Sequence, residues 1–182
     1  MIKFLNKNKT NNMKHVFGLL VAVMVLTACK KKNDSECSYS EQTTTASAQD
    51  EAVVTDYIAA NNITGAVELG TSGMYYVIDA PGNGKMPALC NTVVVKYVGK
   101  LSNGTIFDQT TGTATASFTV GSVIEGWNRG LPLIGEGGKI RLYIPSSLAY
   151  GAAGRYNSNT GEWTIPQNAM LIFDVEIVTV YK

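Results

Sequence analysis

The chain has 182 residues, with 15 Lys and Arg against 14 Asp and Glu and a formal net charge of +1. Residues 1–28 hold four of the lysines and no acidic residue, so the chain beyond them has a net charge of about −3 at neutral pH. This acidic balance disfavours nucleic-acid binding. His15 is the only histidine and falls in the same leader, so a chain without residues 1–28 has no Ser-His-Asp triad and no histidine-ligated zinc.

Residues 1–28 predict a secretory leader. Residues 1–14 are polar and basic, and residues 16–28 are apolar apart from one threonine, too short to span a bilayer but typical of the apolar part of a signal peptide. The apolar stretch ends in the letters LTAC, which resemble a bacterial lipobox whose cysteine, here Cys29, is lipidated and becomes the N-terminus. We therefore expect a protein anchored by lipid to a membrane of a bacterial cell envelope, on a periplasmic or surface face. A plain signal peptide with a coincidental cysteine is the alternative.

Residues 29–49 are rich in Lys, Asn, Ser, Thr and Glu, with almost nothing to bury, and predict a flexible tether. Cys37 lies in this tether and Cys90 beyond it. A structural disulfide, two free thiols and a redox-dependent link all fit an exported chain. Residues 50–71 are predicted as a helical extension, with apolar side chains at helical spacing over 50–60.

Residues 72–182 predict one compact domain with its own core, made mostly of strands. β-branched runs and alternation of apolar with polar residues mark the strands, and Asn103-Gly104 predicts a hairpin turn. The predicted strands cover residues 74–79, 92–101, 105–108, 116–120, 139–144 and 171–180. The fold class that follows is α+β, an antiparallel sheet wrapped over one helix.

That helix is predicted over residues 123–131, with the sequence VIEGWNRGL. Ser122 and Glu125 have the spacing of a capping box, in which each side chain satisfies a free backbone amide at the start of the helix. Ile124 and Trp127 fall on one apolar face. From this stretch alone, Trp127 is interpreted as an ordinary core residue.

Four stretches occur in a fixed order: VKYVGKLSNGTIFDQT, VGSVIEGWNRGL, GGKIRLYIPSSLAYG and IPQNAMLIFDVEIV. Together they resemble the FKBP-type peptidyl-prolyl cis-trans isomerases from about Ser72 to the C-terminus. The resemblance implies an antiparallel half-barrel curled round the short helix, with an apolar cleft floored by tryptophan. It also implies isomerisation of X-Pro bonds, with no cofactor and no metal.

The resemblance also implies roles for individual residues. Those expected to act on the twisting amide are Asp108, Tyr150 and Trp127. Those expected to line the cleft and contact substrate are Tyr97, Phe107, Val123, Ile124, Ile165 and Phe173. The apolar members of both sets fit an ordinary core equally well, whereas a carboxylate and a phenol beside an apolar cleft point to a function.

The chain departs from the family pattern at Ala116, over residues 151–164 and at Gln167, which stands where a second proline is usual. Alignment through Phe118 puts Ala116 where an aromatic residue is common, which predicts a more open cleft wall. Residues 151–164 form a longer connection than usual and are expected to bring Arg155, Tyr156 and Trp163 to the cleft rim, with Trp163 as the main contact. This loop is expected to modulate access.

Two functions remain open from the sequence. One is an isomerase that assists the folding of exported proteins; the other is a non-catalytic chaperone or assembly module that binds proline-containing segments in the same cleft. The expected partners are proline-containing polypeptide clients, macrolide inhibitors and a membrane reached through the lipid anchor. Nucleic acid is not among them.

Overall fold

The structure is a computed structural model and describes residues 37–182, which belong to one compact unit. The predicted signal peptide, the lipidation site at Cys29 and the first part of the tether lie outside the described residues. Within 37–182, none of the helices has the length and apolar character needed to cross a membrane.

The main sheet has seven antiparallel strands, and its residues alternate between two faces as the sequence pattern predicts. Its strands are β1 (Val67–Glu68), β2 (Tyr75–Ala80), β3 (Thr92–Leu101), β4 (Ile106–Gln109), β5 (Ala116–Thr119), β6 (Lys139–Ile144) and β9 (Leu171–Tyr181). The order is β1-β2-β6-β9-β3-β4, and β5 pairs with β3. A separate antiparallel hairpin is formed by β7 (Arg155–Asn157) and β8 (Glu162–Ile165). The sequence did not predict β1, β7 or β8.

Within residues 37–182, two α-helices and three single-turn 3-10 segments accompany the strands. The helices are α1 (Ala48–Ala60) and α2 (Glu125–Gly130), and the 3-10 segments are Leu131–Leu133, Ser146–Leu148 and Gly151–Ala153. The α+β class with one short helix against an antiparallel sheet is confirmed.

One face of the sheet packs against α2. Alternation predicts that Ile140, Leu142 and Ile144 of β6 face inward, and all three are buried. The inward-facing residues of β9 are buried as well: Leu171, Phe173, Val175 and Ile177. Each such side chain contributes roughly 1.5–3 kcal/mol through removal from water. At Gly126 in α2, a Cβ would lie 2.5 Å from Ile144 Cγ2, so only glycine allows the helix this close to β6. Close packing of α2 fixes the position of Trp127.

The other face of the sheet is covered by α1. Val54 of this helix is fully buried and packs in a cluster with Val77, Tyr143, Met170 and Ile172. The Asp50 carboxylate accepts hydrogen bonds from Ser146 Oγ (3.0 Å) and from the Ser147 backbone N–H (3.1 Å). The helix predicted over 50–60 is therefore an integral layer of the domain.

Residues 37–47, which we call the strap, differ from the flexible tether that composition predicts. Cys37 forms a disulfide with Cys90, with their Cα atoms 5.6 Å apart. The Ala46 N–H donates to the Ser72 carbonyl (3.0 Å), and Ala46 itself is buried. The strap is held by a covalent bond and by backbone and polar side-chain hydrogen bonds, for which hydropathy gives no signal.

The start of α2 also differs from the prediction. Its N-cap is Ile124, with no side-chain cap, and the Ser122 hydroxyl donates to a backbone carbonyl three residues earlier (2.8 Å). Glu125 Oε1 instead accepts a hydrogen bond from the Thr44 backbone N–H of the strap (2.8 Å). The predicted capping box is wrong, because the helix begins after Ile124 and the side chains of Ser122 and Glu125 bond to other groups.

Candidate active site

A cleft of about 420 Å³ opens between α2 and the strands β3, β4 and β5. Such a volume is typical of a small-ligand site, as is a mostly apolar lining with a few polar groups. Its lining residues are Tyr97, Phe107, Asp108, Phe118, Ser122, Val123, Ile124, Trp127, Tyr150 and Phe173. The structure thus brings together every predicted site residue of the domain except Ile165.

Trp127 lies at the centre of an aromatic cluster in the cleft. It is only 4% exposed and makes edge-to-face contacts with Tyr97, Phe118 and Phe173, with ring centroids 5.2–5.3 Å apart. Each such pair contributes about 0.5–1.5 kcal/mol beyond burial. Among the described residues the buried indole N–H has no hydrogen-bond acceptor. Trp127 is thus part of the buried core and also lines the cleft.

Gly99 on β3 allows two walls of the cleft to meet. The Phe107 and Phe173 rings lie edge to face, 5.5 Å apart. A Cβ at position 99 would lie 2.8 Å from Phe107 Cζ and 2.8 Å from Phe173 Cε1. Sequence reasoning missed this residue, because a glycine in a strand shows its purpose only when the rings above it are known.

A phenol and a carboxylate form the polar pair of the cleft. Gly99 of β3 lies opposite Asp108 of β4 in the sheet register, which places the Asp108 carboxylate near the Tyr97 hydroxyl two residues along β3. Burial, followed by the hydrogen bond to Asp108 and its negative charge, raises the pKa of Tyr97 well above the ordinary value of 10. Tyr97 therefore stays a neutral phenol at neutral pH, and its hydroxyl can donate a hydrogen bond.

Tyr150 brings a second phenol to the cleft from the segment between two 3-10 turns. It is half-buried and lines the cleft together with Asp108. Gly151, which follows it, has a positive φ of 54°, a conformation that glycine adopts at little cost. The turn at this glycine sets the direction in which the chain leaves the cleft.

Two sites differ from the sequence expectation. Ile165 is fully buried in the core and does not line the cleft, because it anchors the base of β8. Phe118 lines the cleft although it was not among the predicted site residues, and its ring contacts Trp127 edge to face. Residues 116 and 118 share a face of β5, so strand alternation was the signal that could have identified Phe118.

The connection over residues 151–164 contains the β7–β8 hairpin. Tyr156 and Trp163 pair across it, with ring centroids 5.2 Å apart, and are 54% and 45% exposed. Arg155 and Tyr156 line a second recess next to the cleft, whereas Trp163 does not. The hairpin therefore borders the cleft, and the residues that line this recess come from β7, the turn and Thr164 of β8.

The cleft has the chemistry of a receptor for a small apolar ring. It offers aromatic walls, one carboxylate and two phenols, and no side chain within it is an activated nucleophile. Within residues 37–182, no group of three or more His, Cys, Asp or Glu side chains is arranged to hold a metal ion. Such a site can hold a ligand through noncovalent contacts.

Residues 84–178 match the sequence model of the family described as FKBP-type peptidyl-prolyl cis-trans isomerase, which covers more than half of the chain. The chain belongs to this family.

Two relatives show the extent of the similarity. The FKBP-type peptidyl-prolyl cis-trans isomerase FkpA of Aeromonas hydrophila is 37% identical over 128 residues, which cover 70% of this chain and 45% of that protein. FkpA of Escherichia coli K12 is 42% identical over 115 residues, covering 63% of this chain and 40% of that protein. The chain thus spans less than half the length of these curated relatives.

Solved structures show the same fold. The crystal structure of FkpA from Escherichia coli has a TM-score of 0.61 and 38% identity, covering 74% of this chain and 60% of that one. A peptidyl-prolyl cis-trans isomerase from Pseudomonas syringae pv. tomato has a TM-score of 0.61 and 32% identity, covering 78% of this chain and all of that one. The similarity therefore extends beyond the sequence motifs to the three-dimensional arrangement.

Proposed function

We propose that this protein catalyses cis-trans isomerisation of X-Pro bonds in exported polypeptides, and that lipid at Cys29 holds it in a bacterial cell envelope. The observation that carries the proposal is the aromatic cleft over Trp127, with Asp108 and Tyr150 at its edge, in a member of this family. X-Pro isomerisation takes tens to hundreds of seconds and limits folding, so a catalyst that needs no ATP is useful outside the cytoplasm.

The mechanism follows from what rotation does to an amide. Twisting the C–N bond removes its resonance, at a barrier of about 18–20 kcal/mol, and lowers the charge separation of the carbonyl. The twisted amide is therefore favoured in apolar surroundings relative to the planar one. A cleft that binds the twisted form more tightly accelerates the reaction without forming a covalent bond. Each 1.36 kcal/mol of such differential binding gives about a tenfold increase in rate.

In this mechanism the proline ring packs on Trp127. The Ile124 N–H donates to no backbone carbonyl in the described part of the chain, so it can bind a substrate carbonyl, and the Tyr150 hydroxyl can bind another. In this mechanism the Asp108 carboxylate lies beside the rotating bond, on the same cleft lining as Tyr97. These roles remain predictions until variants are measured.

The test is the cis-to-trans rate of a proline tetrapeptide with the purified full chain and with Asp108→Ala and Tyr150→Phe. Tyr181→Phe is the matched control, because Tyr181 is an exposed phenol at the end of β9. We expect clear acceleration by the parent and by the control, and a fall in both cleft variants. A folded parent that does not accelerate the reaction would refute the proposal.

A second function is favoured by one observation, the exposed aromatic pair on the β7–β8 hairpin. Tyr156 and Trp163 present apolar surface beside the cleft, as a chaperone or assembly module for proline-containing segments would need. Deleting residues 157–161 would then change peptide selectivity or reduce the suppression of client aggregation. Binding of proline peptides without acceleration would favour this module over the isomerase.

The proposed location and inhibitors have separate tests. Incorporation of labelled fatty acid that Cys29→Ser abolishes would establish the lipid anchor, and unchanged incorporation would refute it. A macrolide that fills the cleft should compete with proline peptides, and substitution of Trp127 should weaken its binding. Competition that survives such a substitution would place the macrolide elsewhere.

A further inference from the structure

A second recess of about 410 Å³ opens directly beside the cleft. Phe107 and Asp108 line both, so a peptide with its proline in the cleft would place a neighbouring residue in this recess. Unlike the cleft, the recess is lined mainly by polar groups. The remaining lining residues all come from the hairpin and its turn: Arg155, Tyr156, Asn157, Ser158 and Thr164.

The backbone of Arg155 is held in place beside this recess. It is the first residue of β7 and pairs across the hairpin with Ile165, which is fully buried. Gly154 before it has a φ of 58°, and a Cβ there would lie 2.7 Å from the Ile165 carbonyl oxygen. The base of the hairpin is closely packed, so the backbone at Arg155 is held in place. Arg155 thus lies at the base of the hairpin and not at its tip.

The charge of Arg155 is available to a ligand. The side chain is exposed, and the ion pairs found among residues 37–182 join other residues. Its positive charge reaches the cleft, where it opposes the effect of Asp108 on the pKa of Tyr97. Without Arg155 the charge at this end of the cleft would be that of Asp108 alone, which would repel an acidic peptide residue.

We propose that Arg155 selects client segments with an Asp or Glu side chain next to the proline, and that this recess is the subsite that holds the acidic residue. The inference rests on the proposed function, since it assigns a substrate class to the same site. A guanidinium forms paired hydrogen bonds with a carboxylate, and Asn157, Ser158 and Thr164 add further donors. Because the site is open to water, the expected preference is only about two- to fivefold and shrinks as salt is added.

The test compares peptides with Glu or Gln before the proline, and a second pair with Glu or Gln after it, at low and high salt. The full chain is assayed beside Arg155→Gln, Arg155→Glu and the control Lys182→Gln, which removes an exposed charge at the C-terminus. We expect the parent and the control to favour Glu about two- to fivefold in at least one pair. Arg155→Gln should abolish this preference and Arg155→Glu should reverse it. An equal Glu-to-Gln ratio in the parent and both Arg155 variants would overturn the proposal.

Affinity for the same peptides, measured by calorimetry, separates this inference from the proposed function. A parent that accelerates no peptide refutes the isomerase, and the Glu-to-Gln affinity ratio then decides the subsite by itself. If the parent accelerates isomerisation but its Glu-to-Gln ratio does not change in the Arg155 variants, the isomerase is supported and the subsite is refuted. Urea midpoints of the Arg155 variants close to the parent value would exclude misfolding as the cause, as expected for an exposed side chain.

Discussion

Removing the disulfide between Cys37 and Cys90 should destabilise the whole domain. The two cysteines are 53 positions apart, so the bridge closes a loop that includes α1, β1 and β2. For a loop of this length the loss of unfolded-state entropy corresponds to about 4 kcal/mol. This is a large share of the 5–15 kcal/mol that typically separates folded from unfolded domains.

The assay is urea unfolding of the full chain and of the Cys37→Ser/Cys90→Ser double variant, with and without reductant. We expect the double variant to lose about 4 kcal/mol relative to the oxidised parent, and reductant to bring the parent to the same value while leaving the variant unchanged. A loss below about 1 kcal/mol would refute the reasoning, because it would show that closing this loop does not constrain the unfolded chain.

Three further outcomes are expected. Gly99→Ala would force a methyl group between the rings of Phe107 and Phe173. It should lower the free energy of unfolding in urea by about 1–3 kcal/mol and also lower the isomerisation rate. A variant as stable and active as the parent would contradict the packing described. The raised pKa of Tyr97 predicts a contribution to stability that is fully present below pH 10 and is lost as the pH rises through the higher folded-state value. Ultraviolet titration should accordingly show one tyrosine that ionises well above pH 10 and whose signal is missing in Tyr97→Phe. A titration curve that Tyr97→Phe leaves unchanged would argue against the raised pKa. Asp50→Ala removes the acceptor for Ser146 and should cost about 1–3 kcal/mol, with little effect on the isomerisation rate at temperatures where the domain stays folded.

The elements that the sequence predicted best are those governed by local alternation. The bounds of β3 and β6 agree with the prediction to the residue, because their β-branched and alternating patterns are confined to the strands themselves. The start of α2 was predicted less well. Glu125 had the spacing of a capping residue, and only the strap, 81 positions away in sequence, shows why its carboxylate is used elsewhere.

In the candidate site, too, some residues were predicted from the sequence and others were not. The ordered motifs predicted the cleft aromatics and the Asp108 and Tyr150 pair, and the structure brings them together. Ile165 was misplaced because an apolar residue beside a cleft and one beneath it have the same local pattern. Phe118 was overlooked for the opposite reason, since alignment drew attention to Ala116 on the same strand face.

The sequence by itself determined the family, the antiparallel sheet, the short helix with its tryptophan and most of the cleft lining. The sheet and the helix follow from side-chain periodicity, whereas the family and the cleft lining follow from the resemblance of four ordered stretches to that family. The tertiary structure alone decided three features: the pairing of Cys37 with Cys90, the raised pKa of Tyr97, and the second recess beside Arg155. Each depends on burial or charge contributed by distant segments, and their positions relative to one another are fixed only when the chain is folded.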